Sequence, residues 1–525
     1  MKNIQQSYDE IPYKSYAHAN SSIYKLEGIA TFLGLAPVPV NQARILEIGC
    51  SSGGNLVTAA IENPNSTFVG IDLSNIQIHF GQQAIKQLEL KNLSLYQMDV
   101  LELANKFRHN STPPHEVFQQ KFDYIITHGV YSWVPDEVKD AIIYLSSQLL
   151  SEEGLAYISY NVYPGWKSRE IVRDLMLISS KNETNPIQKI ITSKAALTNY
   201  IETIKDIDDQ SVPSLCKNAQ EVLDNPNDSY VYHEYLEDYN NPCYFEQFIQ
   251  RVRKYNLDYL IDASILPSYN IRTQIVEGED RIAREQINDF LFNRTFRASI
   301  LTPKANAIKA QDSLNLVFAK TNLDKLEFFG QFTFEDNKIK DITGSAQYPE
   351  SFTTITKELT ENYPNTITTQ YLIDKYPELK DIVHDQLLKL IAYASVNFTT
   401  HKLEKIEYEV GKSRLKNGYI QYFNYFANEE APNLMPANIL NGTLKLTPSH
   451  ARFAAMFDGN NSVDEIIAAV KAYMQEYDLH FTQTQADGTE QKILDTDEIE
   501  KTCYTFINEI KATLELNYFF EYINH

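Results

Sequence analysis

The chain has 525 residues, enough for three or four domains that each bury a core of their own. Hydrophobic residues at 43% and charged residues at 22% describe an ordered globular protein rather than a disordered one. A formal net charge of −22 opposes phosphate backbones, which argues against nucleic acid as a partner and favours a lysine-bearing protein.

The opening residues are polar and lack the charged-then-apolar order of a signal peptide, and no apolar run approaches a membrane span. A cytoplasmic location and no membrane partner are expected. Tyr8, Tyr13 and Tyr16 are spaced along a polar segment ahead of a helix expected over Asn20–Leu33. The extension has two readings, a lid that folds over a ligand or a helix that covers a sheet.

An apolar strand, Arg44–Ile48, then runs into the small turn Gly49-Cys50-Ser51-Ser52-Gly53, and a helix opens at Asn55. Such a turn lets backbone approach a ligand and aims helix N–H groups at it. A dinucleotide site wants a glycine in the middle of its fingerprint, where this frame carries Ser51. The pattern is instead Glu47-x-Gly49-x-x-x-Gly53, with an acid on the strand. That suits a ligand without phosphates whose amino-acid end carries an ammonium, namely S-adenosylmethionine (SAM), with S-adenosyl-L-homocysteine (SAH) as the product. The plain alternative is a glycine-rich turn with no ligand.

The next segments extend the pattern. Asp72 ends a second strand, Thr67–Ile71, and is placed to accept ribose hydroxyls, with Leu73 beside it. Met98 and Asp99 follow a third strand, Leu93–Gln97, the Met to pack on adenine and the Asp to accept from its amino group. A loop over 105–120 leads to a fourth strand, Lys121–Thr127, followed by His128 and Gly129. Gly154–Tyr160 is a fifth. Helices over Asn75–Leu88 and Asp136–Leu150 separate them, so the region is an α/β, Rossmann-like, doubly wound parallel sheet with its ligand at the carboxyl ends of the strands. Tyr131, Trp133, Tyr163 and Trp166 follow the fourth and fifth strands. They are read either as a channel around a methyl-accepting amine or as a packed aromatic core. His128 is either a proton acceptor or a strand-end histidine bonded to backbone.

After Trp166 the alternation stops and 167–303 reads as mostly helical, with helical spacing over Ser168–Leu177, Ser193–Ile207, Tyr244–Arg253 and Arg281–Leu291. His233-Glu234 is no zinc motif, since no second His stands four residues on. The pair lines a cleft or a helix face. Strands are expected at Leu314–Phe318 and Lys325–Phe334. Helices over Phe352–Leu359, Thr369–Lys375 and Leu379–Tyr393 then lead to a strand at Val396–Thr399. A second such array runs from Pro448 to Phe520. These suggest winged-helix modules at 304–425 and 426–525, and without a basic cluster they serve protein docking or structure rather than DNA. Cys50, Cys216, Cys243 and Cys503 are far apart and read as reduced thiols, with no metal site.

Several segments together resemble the bacterial class I methyltransferases that carry a methyltransferase regulatory domain, rickettsial protein-lysine methyltransferases among them. They are Ser7–Tyr13, His128–Pro135, Ser159–Trp166, Tyr239–Phe248 and Asp289–Arg297. The resemblance implies a parallel-rich seven-stranded sheet, with a SAM-binding domain over 1–166 and a regulatory and dimerisation region over 167–303. It also implies a homodimer and methyl transfer to accessible lysines of a protein substrate. Two alternatives stay open on the residues: a small-molecule N- or O-methyltransferase, and a SAM-sensing interaction protein.

Overall fold

The computed structural model describes residues 14–268, 280–310, 319–335, 338–428, 433–484 and 489–523. The amino-terminal half alternates strand and helix as its apolar spacing predicts. After helix α1 (Ile23–Phe32) come β1 (Arg44–Ile48), α2 (Gly54–Glu62), β2 (Thr67–Asp72), α3 (Asn75–Gln87), β3 (Leu93–Gln97) and α4 (Val100–Arg108). Strand β4 (Phe122–Thr127), α5 (Asp136–Leu149) and β5 (Leu150–Asn161) complete the alternation. Strands β1 and β4 are buried on both faces and read as mostly apolar runs, whereas β3, at the sheet edge, alternates buried and partly exposed residues. Neighbouring residues face opposite layers: Ile45 packs with α1, α2 and α3, whereas Leu46 packs with α4 and α5.

The region expected to be mostly helical holds helices α6 (Trp166–Ser179), α7 (Pro186–Ile204), α8 (Val212–Leu223), α9 (Asp228–Tyr235) and α10 (Phe245–Val252). It also holds β6 (Leu257–Asp262), α11 (Arg281–Leu291) and β7 (Phe296–Pro303). The two strands correct the reading of this region. The sheet has seven strands in the order β3-β2-β1-β4-β5-β7-β6, with β7 antiparallel to both neighbours. A boundary at residue 166 therefore cuts the sheet. Buried charge hides the strands in the sequence: Arg297 on β7 is fully buried and donates to Asp289 at 2.9 Å and Glu285 at 3.0 Å.

Further along, the single strand expected over Lys325–Phe334 is two, split at Gly330-Gln331. Glu327–Phe329 pairs with Ile367–Thr368 and Asn397–Thr399, and Phe332–Glu335 pairs with Lys338–Asp341. The strand expected at Leu314–Phe318 lies outside the described residues. The helix Tyr419–Asn428 crosses residue 425, and Ser413–Leu415 pairs with Phe520–Tyr522, so no clean break falls there. Helices Pro448–Ala454, Val463–Glu476 and Thr496–Leu516 fill the last segment. One apolar core runs from Leu26, Ile45 and Leu56 through Phe328 and Leu387 to Tyr419 and Phe519, joining the carboxyl-terminal half to one face of the sheet. Among the described residues, no helix is long and apolar enough to cross a membrane.

Candidate active site

The strand order reverses between β1 and β4, and there a cavity of about 520 Å³ opens at the carboxyl ends of the strands. Its floor is the turn after β1. Gly49 has φ +78°, and a Cβ there would fall 2.2 Å from Val130 Cγ2, so only glycine keeps the turn open. Gly53 has φ +83° and ends the turn at the start of α2. The Asp72 carboxylate accepts from Ser51 N at 2.8 Å and Ser74 N at 2.9 Å, so it fixes the turn as well as bordering the cavity.

Glu47 is the most constrained charge in the cavity wall. It is 3% exposed, and burial pushes its carboxyl up to about 8. Its Oε1 accepts from Asn55 Nδ2 at 3.0 Å, while Oε2 is buried with no hydrogen-bond partner among the described residues. Asn55 Oδ1 in turn accepts from His18 N at 2.9 Å, Ser21 Oγ at 3.2 Å and Asn441 Nδ2 at 2.9 Å. A carboxyl oxygen orphaned at this depth is either protonated or paired with a cation, and the ammonium end of SAM fits the second state.

Of the residues singled out in the sequence, Glu47, Gly49, Asp72, Leu73, Met98, Asp99, His128, Gly129, Trp133 and Trp166 line this one cavity. Asp99 also caps α4, accepting from Leu101 N at 2.8 Å. Gly53 shapes the turn without lining the cavity, and Tyr8 and Tyr13 lie outside the described residues. Tyr131 and Tyr163 are not on the wall. The short 3₁₀ turn Tyr131–Trp133 sends residues two apart in different directions, so Trp133 faces the cavity and Tyr131 enters the core. There the Tyr131 ring packs edge-on against Phe248 and Tyr160 at 5.3 and 5.7 Å. The Tyr163 hydroxyl donates to Glu170 at 2.5 Å, and Lys167 covers its ring at 3.7 Å.

His128 stacks on His18 with ring centroids 3.9 Å apart, and its Nδ1 lies 3.0 Å from the Tyr157 hydroxyl. Burial holds His18 down to about 4 and His128 well below its ordinary value, so both rings are neutral near pH 7. His18 belongs to a segment, with Lys14, Ser15 and Tyr16, that lies over the first turn of α2, where Ser15 Oγ accepts from Gly54 N at 2.8 Å. Sequence reading missed His18 as well as Asn55, Gln77, Asn161, Arg169, Asn227, Tyr230, Thr295 and Phe296, all on the same wall. The helical spacing of Asn227, Tyr230 and Glu234 is the one signal that could have grouped some of them.

Residues 40–206 match a methyltransferase domain family, and residues 227–302 match the family described as a predicted methyltransferase regulatory domain. Uncharacterized protein RP789 of Rickettsia prowazekii (strain Madrid E) is 30% identical over 536 residues, covering 94% of this chain and 90% of that protein. The chain belongs to the SAM-dependent methyltransferases that carry a methyltransferase regulatory domain. A second R. prowazekii protein, RP028, is 35% identical over 253 residues, 48% of this chain and 96% of the relative. The solved structure of PKMT2 from Rickettsia typhi shares the fold at a TM-score of 0.78 and 22% identity, covering 97% of this chain and all of that one. The same protein in complex with AdoHcy matches at 0.78 and 24%. In this methyltransferase the regulatory domain is no appendage. It supplies β6 and β7 to the sheet and Asn227, Tyr230, Glu234, Thr295 and Phe296 to the cavity wall.

Proposed function

We propose that this methyltransferase acts on lysine side chains of a protein substrate. The observation that carries the reading is that Trp133 and Trp166 share one cavity with the Glu47–Gly49–Asp72 turn. The resemblance of its sequence motifs to rickettsial protein-lysine methyltransferases supports it. Glu47 takes the ammonium of SAM, Asp72 the ribose hydroxyls, and Met98 and Asp99 the adenine, with Leu73 and Gly129 beside them. SAM, when bound, supplies a methyl group activated on its sulfonium.

A free lysine has a pKa of about 10.4, and only its neutral amine attacks. Trp133 and Trp166 exclude water around the alkyl stem, which favours the neutral form, and they hold the nitrogen in line. Neutral His128 can accept a proton but has none to donate as a cation. The segment around Tyr16 acts as a lid, and the carboxyl-terminal winged-helix-like modules dock the protein substrate. Exposed Ile171, Ile178, Ile187 and Ile191 on α6 and α7 support a homodimer through this region. We place the enzyme in the cytoplasm, without a nucleic-acid or membrane partner.

Labelled SAM incubated with enzyme and cell lysate tests the reading. Label is expected on protein, surviving acid hydrolysis as N-ε-methyllysine. Label on carboxylates, hydroxyls or a metabolite alone would overturn the lysine assignment and leave the SAM site standing.

A further inference from the structure

A second carboxylate enters the cavity from the regulatory domain, and nothing in cofactor binding accounts for it. Tyr230 and Glu234 are four residues apart on one face of α9, and with Asn227, which caps that helix, they form a stretch of wall. Trp166 and Arg169, on the first turn of α6, belong to the same lining. Arg169 already has a partner, Glu221, at 3.5 Å, and Arg173, one turn on, donates to the Glu237 carbonyl. Glu234 has neither a hydrogen bond nor an ion pair among the described residues.

Two further observations indicate what it awaits. Burial holds the Glu234 carboxyl up at about 7, although Arg169 and Arg173 both pull the other way. A cation beside it offsets that burial cost. Glu234 also sits in the last turn of α9, where unpaired carbonyls carry partial negative charge and favour a positive group. Tyr230 and Trp166 in the same lining offer ring faces to an alkyl stem and its ammonium.

We propose that Glu234 captures the cationic amine of the substrate as it enters, before the amine sheds its proton to water and moves on as the neutral nucleophile, making the α6–α9 wall an ammonium-binding entry subsite distinct from the Glu47 end of the cavity. The inference rests on the protein-lysine reading and names the residue that would select lysine over an uncharged side chain of similar length.

A binding cycle tests it on the full-length enzyme with SAH present. The probes are a short peptide with one central lysine and its twin with norleucine at that position. Wild type should bind the lysine peptide more tightly. Glu234→Gln should weaken it at least about tenfold, as loss of a charged hydrogen bond does, while leaving the norleucine peptide within about twofold. Glu234→Asp should keep most of the preference, and SAH affinity should be the same in all three proteins, which reports an intact fold. Equal weakening of both peptides by Glu234→Gln, or no effect on either, overturns the proposal. If methyllysine forms in the lysate assay while the cycle shows no coupling, the subsite fails and the lysine function stands. If the cycle shows coupling but label appears on another group, the cation subsite stands and the lysine function fails. A wild type that binds both peptides equally and labels no lysine sinks both.

Discussion

Glu47 ties cofactor binding to pH. Its folded pKa of about 8 lies above the usual carboxylate value, so the empty protein favours the protonated acid, and stability from this group falls as pH rises from the unfolded value through about 8. On the proposed pairing, the acid must lose that proton to take the ammonium of SAM. Affinity should therefore rise with pH, by up to about tenfold per unit, from about pH 6 until the cofactor's own α-ammonium deprotonates near about 7.8. Glu47→Gln should bind SAM weakly with a flat profile over the same window, measured by calorimetry. A wild-type profile equally flat would count against the pairing. Tyr131 and Trp133 make a second test at this scale. Trp133→Ala should cut turnover on the order of a hundredfold through misplacement of the amine, with SAM affinity little changed. Tyr131→Ala removes a 1% exposed core ring and should cost about 3–5 kcal/mol in urea unfolding. If the two variants exchange these behaviours, the division between wall and core is wrong.

The loop after residue 433 shows an element acting at a distance in sequence. Asn441, at φ +60°, donates to Asn55, which donates to Glu47. A left-handed turn favours Asn or Gly for backbone reasons alone, so Asn441→Gly preserves the turn and removes only the donor. Asn441→Asp preserves the shape and sets one oxygen against another. Both should weaken SAM about three- to tenfold, in line with one lost neutral hydrogen bond, while the melting temperature changes little. Unchanged calorimetric affinity in both variants would mean that Asn441 serves the turn and nothing more. Strands β6 and β7 carry the converse lesson about what a sequence conceals. Asp262, Arg297 and the buried Ser299 and Thr302 interrupt any apolar run, and their pairing partners lie far along the chain. Strand β1 carries a buried acid as well, Glu47, but was legible because Ile45, Leu46 and Ile48 run directly into the glycine turn and the helix that follow.

Over the whole molecule, the cofactor motifs end before the carboxyl-terminal half begins, and from motif position alone a deletion after about residue 305 should spare SAM binding. The packing indicates otherwise. Thr58 on α2 donates to the Ala437 carbonyl at 3.2 Å, Lys416 pairs with Glu62 at 2.9 Å, and the shared core passes from α1 and α2 into Tyr419 and Phe519. Deletion exposes that apolar face and removes the Asn441 donor. The truncated protein should lose cooperative melting or SAM affinity, checked by calorimetry beside a melting curve. A well-folded truncation with wild-type affinity would show that the two halves are independent.

What the sequence determined by itself was local: the strand-turn-helix at Glu47–Gly54, the acids at the ends of β2 and β3, and the helix spacing of the carboxyl-terminal segments. Each follows from periodicity, a glycine conformation or a cap within a few residues. What only the tertiary structure decided depends on residues far apart in the chain. It completed the sheet with β6 and β7, and it turned Trp133 outward while turning Tyr131 into the core. It also brought His18 and Glu234 to one cavity and set Asn441 behind its wall, on Asn55. Long-range packing sets which face of a short element looks into a cavity, and no local pattern encodes it.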